Sequence, residues 1–210
     1  MKILEEPSIT VSISTISSNL EVFVASFPFN QLSDADEVLI IIQGHDEKIY
    51  FPELKNFKLI YDSNYGLSSS RNIGIENANS DFIWFLDDDI ILIENGVKKI
   101  KNHIKANNNF DLHTVRIKHS NNFPYKNYTN KKKLGRLDAL KVSSVEIIVS
   151  RDFILNNNLR FNKNLGLGSN FPSNEENIFY LDIFDKGGLI SHFPEYLLEH
   201  EYIDRKSIHF

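Results

Sequence analysis

From Asp81 to Ile91 the sequence reads DFIWFLDDDII: an apolar run, Phe82 to Leu86, leads straight into three adjacent carboxylates and out again into isoleucine. A strand with no polar face is covered on both sides, which marks a buried strand of a parallel sheet. Working outward, the same kind of run recurs upstream as Ile9 to Ile16 (ITVSISTI), Glu37 to Ile42 (EVLIII) and Phe57 to Tyr61 (FKLIY). Between these runs, Asn19 to Phe27 (NLEVFVASF) and Leu67 to Ala78 carry apolar residues at helical spacing, the second opened by serines. Strands alternating with helices predict an α/β fold with a doubly wound, mainly parallel sheet flanked by helices. In such sheets ligands bind beyond the C-terminal ends of the strands, and Asp87, Asp88 and Asp89 stand at one of those ends.

Downstream the spacing predicts a helix from about Glu94 to Lys105 and a strand near Leu112 to Lys118. Ser120 to Arg136 (SNNFPYKNYTNKKKLGR) has too little apolar content to pack and reads as a long surface loop or mobile arm. Lys131, Lys132 and Lys133 read as a solvated charge run, with an anionic acceptor or a membrane as the alternative. Val142 to Val149 (VSSVEIIV) resumes the sheet, Glu175 to Asp185 is helical, and Gly188 to Phe193 is a last strand.

A length of 210 residues supports one domain with one substantial core. The net charge of −5 leaves no basic face for nucleic acid, so an anionic ligand has to be held by local groups. The absence of cysteine excludes disulfides, thiolate metal sites and a cysteine nucleophile, and fits a reducing, cytoplasmic setting. No stretch approaches the roughly 18 apolar residues of a membrane span, so the expectation is a soluble protein that at most touches the membrane's inner face peripherally.

Adjacent carboxylates repel one another, and in a partly desolvated place that repulsion persists unless a cation or hydrogen-bond donors offset it. A divalent ion such as Mg²⁺ or Mn²⁺, which takes oxygen ligands from one or two carboxylates and from substrate phosphates, does this well. The plain alternative is an acidic turn capping the next helix. Upstream, Asn64 to Gly74 (NYGLSSSRNIG) joins a turn glycine, Gly66, to a serine-rich helix start with Arg71 one turn in. A helix N-terminus attracts phosphate through its free N–H groups, and an arginine there can add a charge-assisted bond.

The run GLSSSRNIGIENANSDFIWFLDDDI, Gly66 to Ile90, resembles the signature of the inverting family-2 glycosyltransferases of the GT-A fold. The resemblance extends from about Ile9 to His200 and implies a nucleotide-sugar donor, UDP-linked by preference, and a glycan or lipid-linked acceptor. It implies a half that binds the donor, about residues 1–91, and a half that binds the acceptor, about residues 92–210. In this reading Asp87 and Asp88 approach the ribose and diphosphate, Asp89 is a principal ligand of Mn²⁺ or Mg²⁺ with Asp87 beside it, and Arg71 and Thr15 belong to the nucleotide pocket. Asn64 and Gly66 join that pocket. The second strand departs from the family pattern, in which an acid at its end meets the uracil: here EVLIII runs into Gln43-Gly44-His45-Asp46. Gln43 offers amide hydrogen bonds in its place, and Asp46 reads either as the shifted acid or as a loop residue.

Inverting transfer needs one carboxylate to take the acceptor hydroxyl's proton. Asn174-Glu175-Glu176-Asn177 resembles the family's Gly-Glu-Asp or Gly-Glu-Glu element, which assigns Glu176 as the base and Glu175 as an orienting or acceptor-contacting residue. The plain alternative is two acids in the first turn of a helix, where its dipole favours them. His200 corresponds to a histidine that completes the metal site in some members. Two other activities compete: a nucleotidyltransferase, which would want a glycine-rich loop where Ser14 to Asn19 has none, and a catalytically silent domain that binds nucleotide-sugar.

Overall fold

The computed structural model describes residues 6–44 and 55–201, so Asp46 lies outside the described residues. One eight-stranded sheet runs through the molecule in the order β3-β2-β1-β4-β7-β6-β8-β5. Its strands are β1 Ile9–Ile16, β2 Glu37–Gln43, β3 Phe57–Asp62, β4 Phe82–Asp87, β5 Ile90–Leu92, β6 Leu112–His119, β7 Ile147–Ser150 and β8 Ile190–His200. The helices are α1 Leu20–Ser26, α2 Leu67–Asn77, α3 Gly96–Ala106, α4 Arg151–Asn156 and α5 Glu175–Asp185. β3, β2, β1 and β4 are parallel, while β7 pairs antiparallel with both β4 and β6.

Alternation along the central strands divides the core into two layers. Ile9, Val11, Ile13, Val38, Ile40, Ile42, Trp84 and Leu86 face the layer shared with α1 and α3. Leu39, Ile41, Ile83 and Phe85 face the layer shared with α2, α4 and α5. Each fully buried aliphatic or aromatic side chain contributes about 1.5–3 kcal/mol. β1 breaks the apolar rule on its second face, where Thr10, Ser12 and Ser14 stand, and that face is where α2 comes closest. A Cβ on Gly74 would sit 2.2 Å from the Ser12 hydroxyl, and the Ser14 and Ser70 hydroxyls meet at 2.7 Å. Small residues on strand and helix together bring α2 against the sheet and set the position of Arg71.

Three elements depart from the sequence reading. β8 continues through Pro194 to His200 instead of ending near Phe193, because its register against β6 shifts between Thr114 and Arg116 and the extra residues bulge out around the proline. Val142 to Val149 is not one strand: Ser144–Glu146 forms a 3₁₀ turn and the strand is Ile147–Ser150. The segment 120–136 does pack. Glu146, buried in the middle of VSSVEIIV, requires partners, and the segment supplies them. Tyr128 donates its hydroxyl to Glu146 at 2.6 Å and accepts from the Ile117 amide at 2.9 Å, and Lys126 Nζ lies 2.7 Å from the other carboxylate oxygen. β5 and α4 were not legible at all, being three and six residues long. No helix among the described residues is long and apolar enough to cross a membrane.

Between α3 and the strands β6 and β8 lie His103, His113 and His192. Ser191 bridges two of them, His103 at 2.8 Å and His113 at 3.3 Å, and His192 bonds Thr114 at 2.9 Å. Burial pushes the three imidazoles down, to about 4, about 3 and about 4. The unfolded chain therefore takes up protons below the ordinary value of 6.5 while the folded chain does not, so this contribution is complete above 6.5 and is lost as the pH falls towards 4. The buried Glu146 carboxyl, pushed up by its own desolvation, opposes that trend. The melting temperature of His113→Asn is expected to fall less between pH 7 and pH 5 than that of the unaltered chain. An identical pH slope in thermal melts would show that His113 is not part of the linkage.

Candidate active site

The chain leaves β1 for β2 and β3 on one side and returns to β4 on the other, so the C-terminal ends of β1 and β4 flank the point where strand order reverses. Ligands of open α/β sheets bind in that crevice. Two side chains bridge it: Thr15, ending β1, donates to Asp88 Oδ2 at 2.6 Å, and Asn19 Nδ2 lies 3.4 Å from the same oxygen.

Behind Asp88, Asp87 turns inward to Arg71. This arginine is 1% exposed, and its guanidinium joins three elements of the fold. Nη2 donates to Asp87 at 3.0 Å and to the Ser144 hydroxyl at 2.8 Å, while Nη1 donates to Glu175 at 2.8 Å. The cation also lies 5.6 Å from the centre of the Phe161 ring. Burial raises the Asp87 carboxyl against the pull of Arg71, and the charges of Asp89 and Asp88 add to the rise. α2 offers Arg71 to this network from one turn beyond its start, and Asn72 beside it locks the 159–161 segment by a reciprocal pair with the Phe161 backbone, at 2.9 and 2.8 Å.

Thr15, Gln43, Asn64 and Gly66 form one linked rim. Gln43 Nε2 donates to the Thr15 carbonyl at 3.4 Å, its Oε1 accepts from the Gly66 amide at 2.9 Å, and the Gly44 amide donates to the Asn64 carbonyl at 3.2 Å. Gly66 has φ of 140°, and the 166–168 loop lies over it: a Cβ on Gly168 would come within 3.2 Å of the Gly66 Cα. That contact brings the loop preceding α5 against the start of α2.

α5 opens at Asn174, whose φ of 68° is left-handed, a conformation that glycine adopts freely and asparagine tolerates. Glu175 then points in to Arg71, while Glu176 is half-buried. Burial, with the Glu175 charge second, raises the Glu176 carboxyl above the ordinary range, against the pull of Arg71.

Asp89 lies at the mouth. Its Oδ2 is 3.3 Å from His200 Nε2, because β8, carried past its bulge, pairs His200 with Ile90 of β5. These two residues, with Asn19, Asp88 and Glu199, line an open cleft of about 530 Å³ to which Val22, Phe23, Phe27 and Ile91 add apolar surface. Among the described residues no group of three or more His, Cys, Asp or Glu is arranged to hold a metal by itself. Sequence reasoning missed Ser144, Asn19 and the Asn72 lock. Asn72 stood inside the quoted motif without a role, whereas Ser144 carries no local signal.

The profile of the family described as "Glycosyl transferase family 2" matches residues 29–171. No curated protein matches the sequence. Among solved structures, TarS of S. aureus shares the fold: its 1–349 fragment superposes with a TM-score of 0.71 at 16% identity, over 92% of this chain and 60% of that one. The same fragment in complex with UDP-GlcNAc gives 0.72 at 16% identity, over 97% and 62%, and its complex with UDP gives 0.69 at 16% identity, over 93% and 60%. The chain thus spans about three-fifths of the TarS fragment it resembles.

Proposed function

The chain belongs to glycosyl transferase family 2, and we propose that it moves a sugar, a hexose in the first instance, from a UDP-sugar to a hydroxyl of a glycan or lipid-linked acceptor, with inversion. The observation that carries this reading is the bridge from Thr15 to Asp88 across the switch point of the sheet, with Asp89 and His200 at its mouth. That the TarS fragment has been solved with UDP-GlcNAc and with UDP supports the choice of donor.

In this reading residues 1–91 hold the donor and residues 92–210 the acceptor. Thr15, Gln43, Asn64 and Gly66 line the nucleoside, with Asp88 at the ribose and diphosphate. Arg71 acts from behind, fixing the Asp87 and Glu175 side chains within one network. Glu176 accepts the proton of the acceptor hydroxyl while that oxygen bonds to the anomeric carbon from the face opposite the diphosphate. The bond from the anomeric carbon to the diphosphate breaks and the diphosphate leaves with the electron pair. Burial helps twice: it excludes water from the proton acceptor and makes its carboxylate more basic.

The donors at the mouth fit a divalent cation. If His200 gives its Nδ1 proton to the Glu201 carbonyl, 2.8 Å away, its Nε2 lone pair faces an Asp89 oxygen at 3.3 Å, a pairing of acceptors that a shared ion relieves. Neighbouring ligands of an octahedral ion with bonds of about 2.1 Å lie roughly 3 Å apart. Asp89 and His200 would hold Mn²⁺ or Mg²⁺, and the ion would offset charge on the leaving diphosphate; Asp87, expected beside them, is turned inward to Arg71. The proposed setting is the cytoplasm, at the inner face of the membrane.

A thermal-shift panel of nucleoside diphosphates with and without Mn²⁺ tests the donor. UDP at about a hundred times its Kd stabilises by about 2.7 kcal/mol, which for a chain of this size raises the melting temperature by roughly 5–10 °C. The rise is expected with Mn²⁺ and to be largely absent without it. No shift with any nucleotide would remove the basis of the reading.

A further inference from the structure

The stretch Lys131 to Lys141 (KKKLGRLDALK) holds five cations against the single carboxylate of Asp138, in a chain of net charge −5. Its backbone is fixed at both ends. The Leu134 amide donates to the Ile190 carbonyl at 3.0 Å and the His192 amide to the Lys132 carbonyl at 2.8 Å, so the lysines are stitched to the edge of β8. Leu134 and Ala139 are buried, and Asn177 and Tyr180 of α5 donate to the Ala139 and Gly135 carbonyls.

From this anchored base Arg136–Lys141 forms a 3₁₀ helix, in which residues three apart stand one above the other. One row, Leu137 and Leu140, faces solvent at 81% and 76% exposure. Two of the most exposed apolar side chains among the described residues are therefore held side by side, and Lys132, Lys133 and Lys141 of the same stretch are exposed and make no salt bridge among the described residues. Arg136 pairs with Asp185, and Lys131 approaches Asp138 at 3.8 Å. Adjacent apolar tips on a stretch that carries three unpaired cations suit a surface that is anionic outside and apolar just beneath, which is an anionic lipid bilayer. An acidic protein surface would meet the lysines but would leave the leucines in water.

We propose that this face, Leu137 and Leu140 with Lys132, Lys133 and Lys141, docks the protein onto anionic membrane lipids. The proposal gives the peripheral contact a location and is independent of the transfer chemistry. Cosedimentation of the full chain with vesicles of phosphatidylcholine mixed with phosphatidylglycerol, against vesicles of phosphatidylcholine alone, tests it. Binding is expected to the mixed vesicles only and to weaken with added salt. Leu137→Ser with Leu140→Ser is expected to weaken it about tenfold or more, and Lys132→Gln, Lys133→Gln and Lys141→Gln together by at least as much. Unaltered melting temperature and UDP-dependent shift in both variants would show that fold and donor site are intact. Equal binding to neutral vesicles, binding unchanged in the triple lysine variant, or no binding by the unaltered chain would overturn the proposal. So would a dimer in sedimentation velocity that the leucine variant abolishes, since the face would then serve a second copy of this chain.

Discussion

Glu176→Gln is expected to lower turnover by about 10²–10⁴-fold, the usual contribution of a positioned proton acceptor, and to leave the UDP-dependent thermal shift intact. Glutamine fills the same space at the start of α5 but cannot take a proton. Glu176 has the chemistry of a base as well as the place in the motif: its carboxyl is half-buried, lies next to a second acid, and is raised above the ordinary 4.5 by that burial and that neighbour. A base acts in its ionised form, so the acidic limb of kcat/KM is expected above 4.5 and should vanish from the residual activity of the variant. Turnover within a few-fold of the unaltered enzyme would transfer the role elsewhere. A loss of nucleotide binding together with turnover would mean that the substitution disturbs the donor site and does not report on the base.

Arg71→Leu is expected to destabilise the protein by about 3–5 kcal/mol, since removing one member of a buried ionic network leaves the others buried without their partner. Here the members left behind are Asp87 and Glu175, two carboxylates that the guanidinium holds apart, and the Ser144 hydroxyl loses its donor. At this chain length the loss corresponds to roughly 10 °C in melting temperature. Arg71→Lys restores the charge but not the fork that reaches Asp87, Glu175 and Ser144 together, so recovery is expected to be partial. Urea melts of the three proteins, with UDP binding measured on each, separate the consequences. A loss below about 1 kcal/mol in Arg71→Leu would show that the network is solvated and that Asp87 is held by other means. The variant also tests the link between the two halves, because Arg71 and Glu175 are 104 residues apart in sequence and 2.8 Å apart in space.

Arg71 lies deeper than its place in the motif suggests. A sequence places it one turn into a helix whose N-terminus could meet phosphate, and from there a surface position at the donor is the simplest reading. The guanidinium is instead nearly inaccessible and engaged on every side where a partner stands, except for Nε, which has none among the described residues. It is the centre around which Asp87 and Glu175 are set, and in the proposed function its influence on the donor runs through Asp87.

The sequence by itself determined the strand and helix order from Ile9 to Leu86, the placing of three carboxylates at the end of a doubly covered strand, and the start of α5 at Glu175. These are local properties: a strand apolar on both faces and a helix with its acids in the first turn each leave their mark within a few residues. The tertiary structure decided how His200 reaches Asp89, because this depends on a bulge around Pro194 and on pairing with a three-residue strand. It decided that Lys126 and Tyr128 close on Glu146, which turned a polar stretch of little apolar content into a packed one. It also decided that Leu137 and Leu140 face outward together, which no periodicity shows in a helix of six residues. Ion pairs and hydrogen bonds between distant segments have no period along the chain. Their strength depends on how far both partners are removed from water, which is set only when the sheet brings them together.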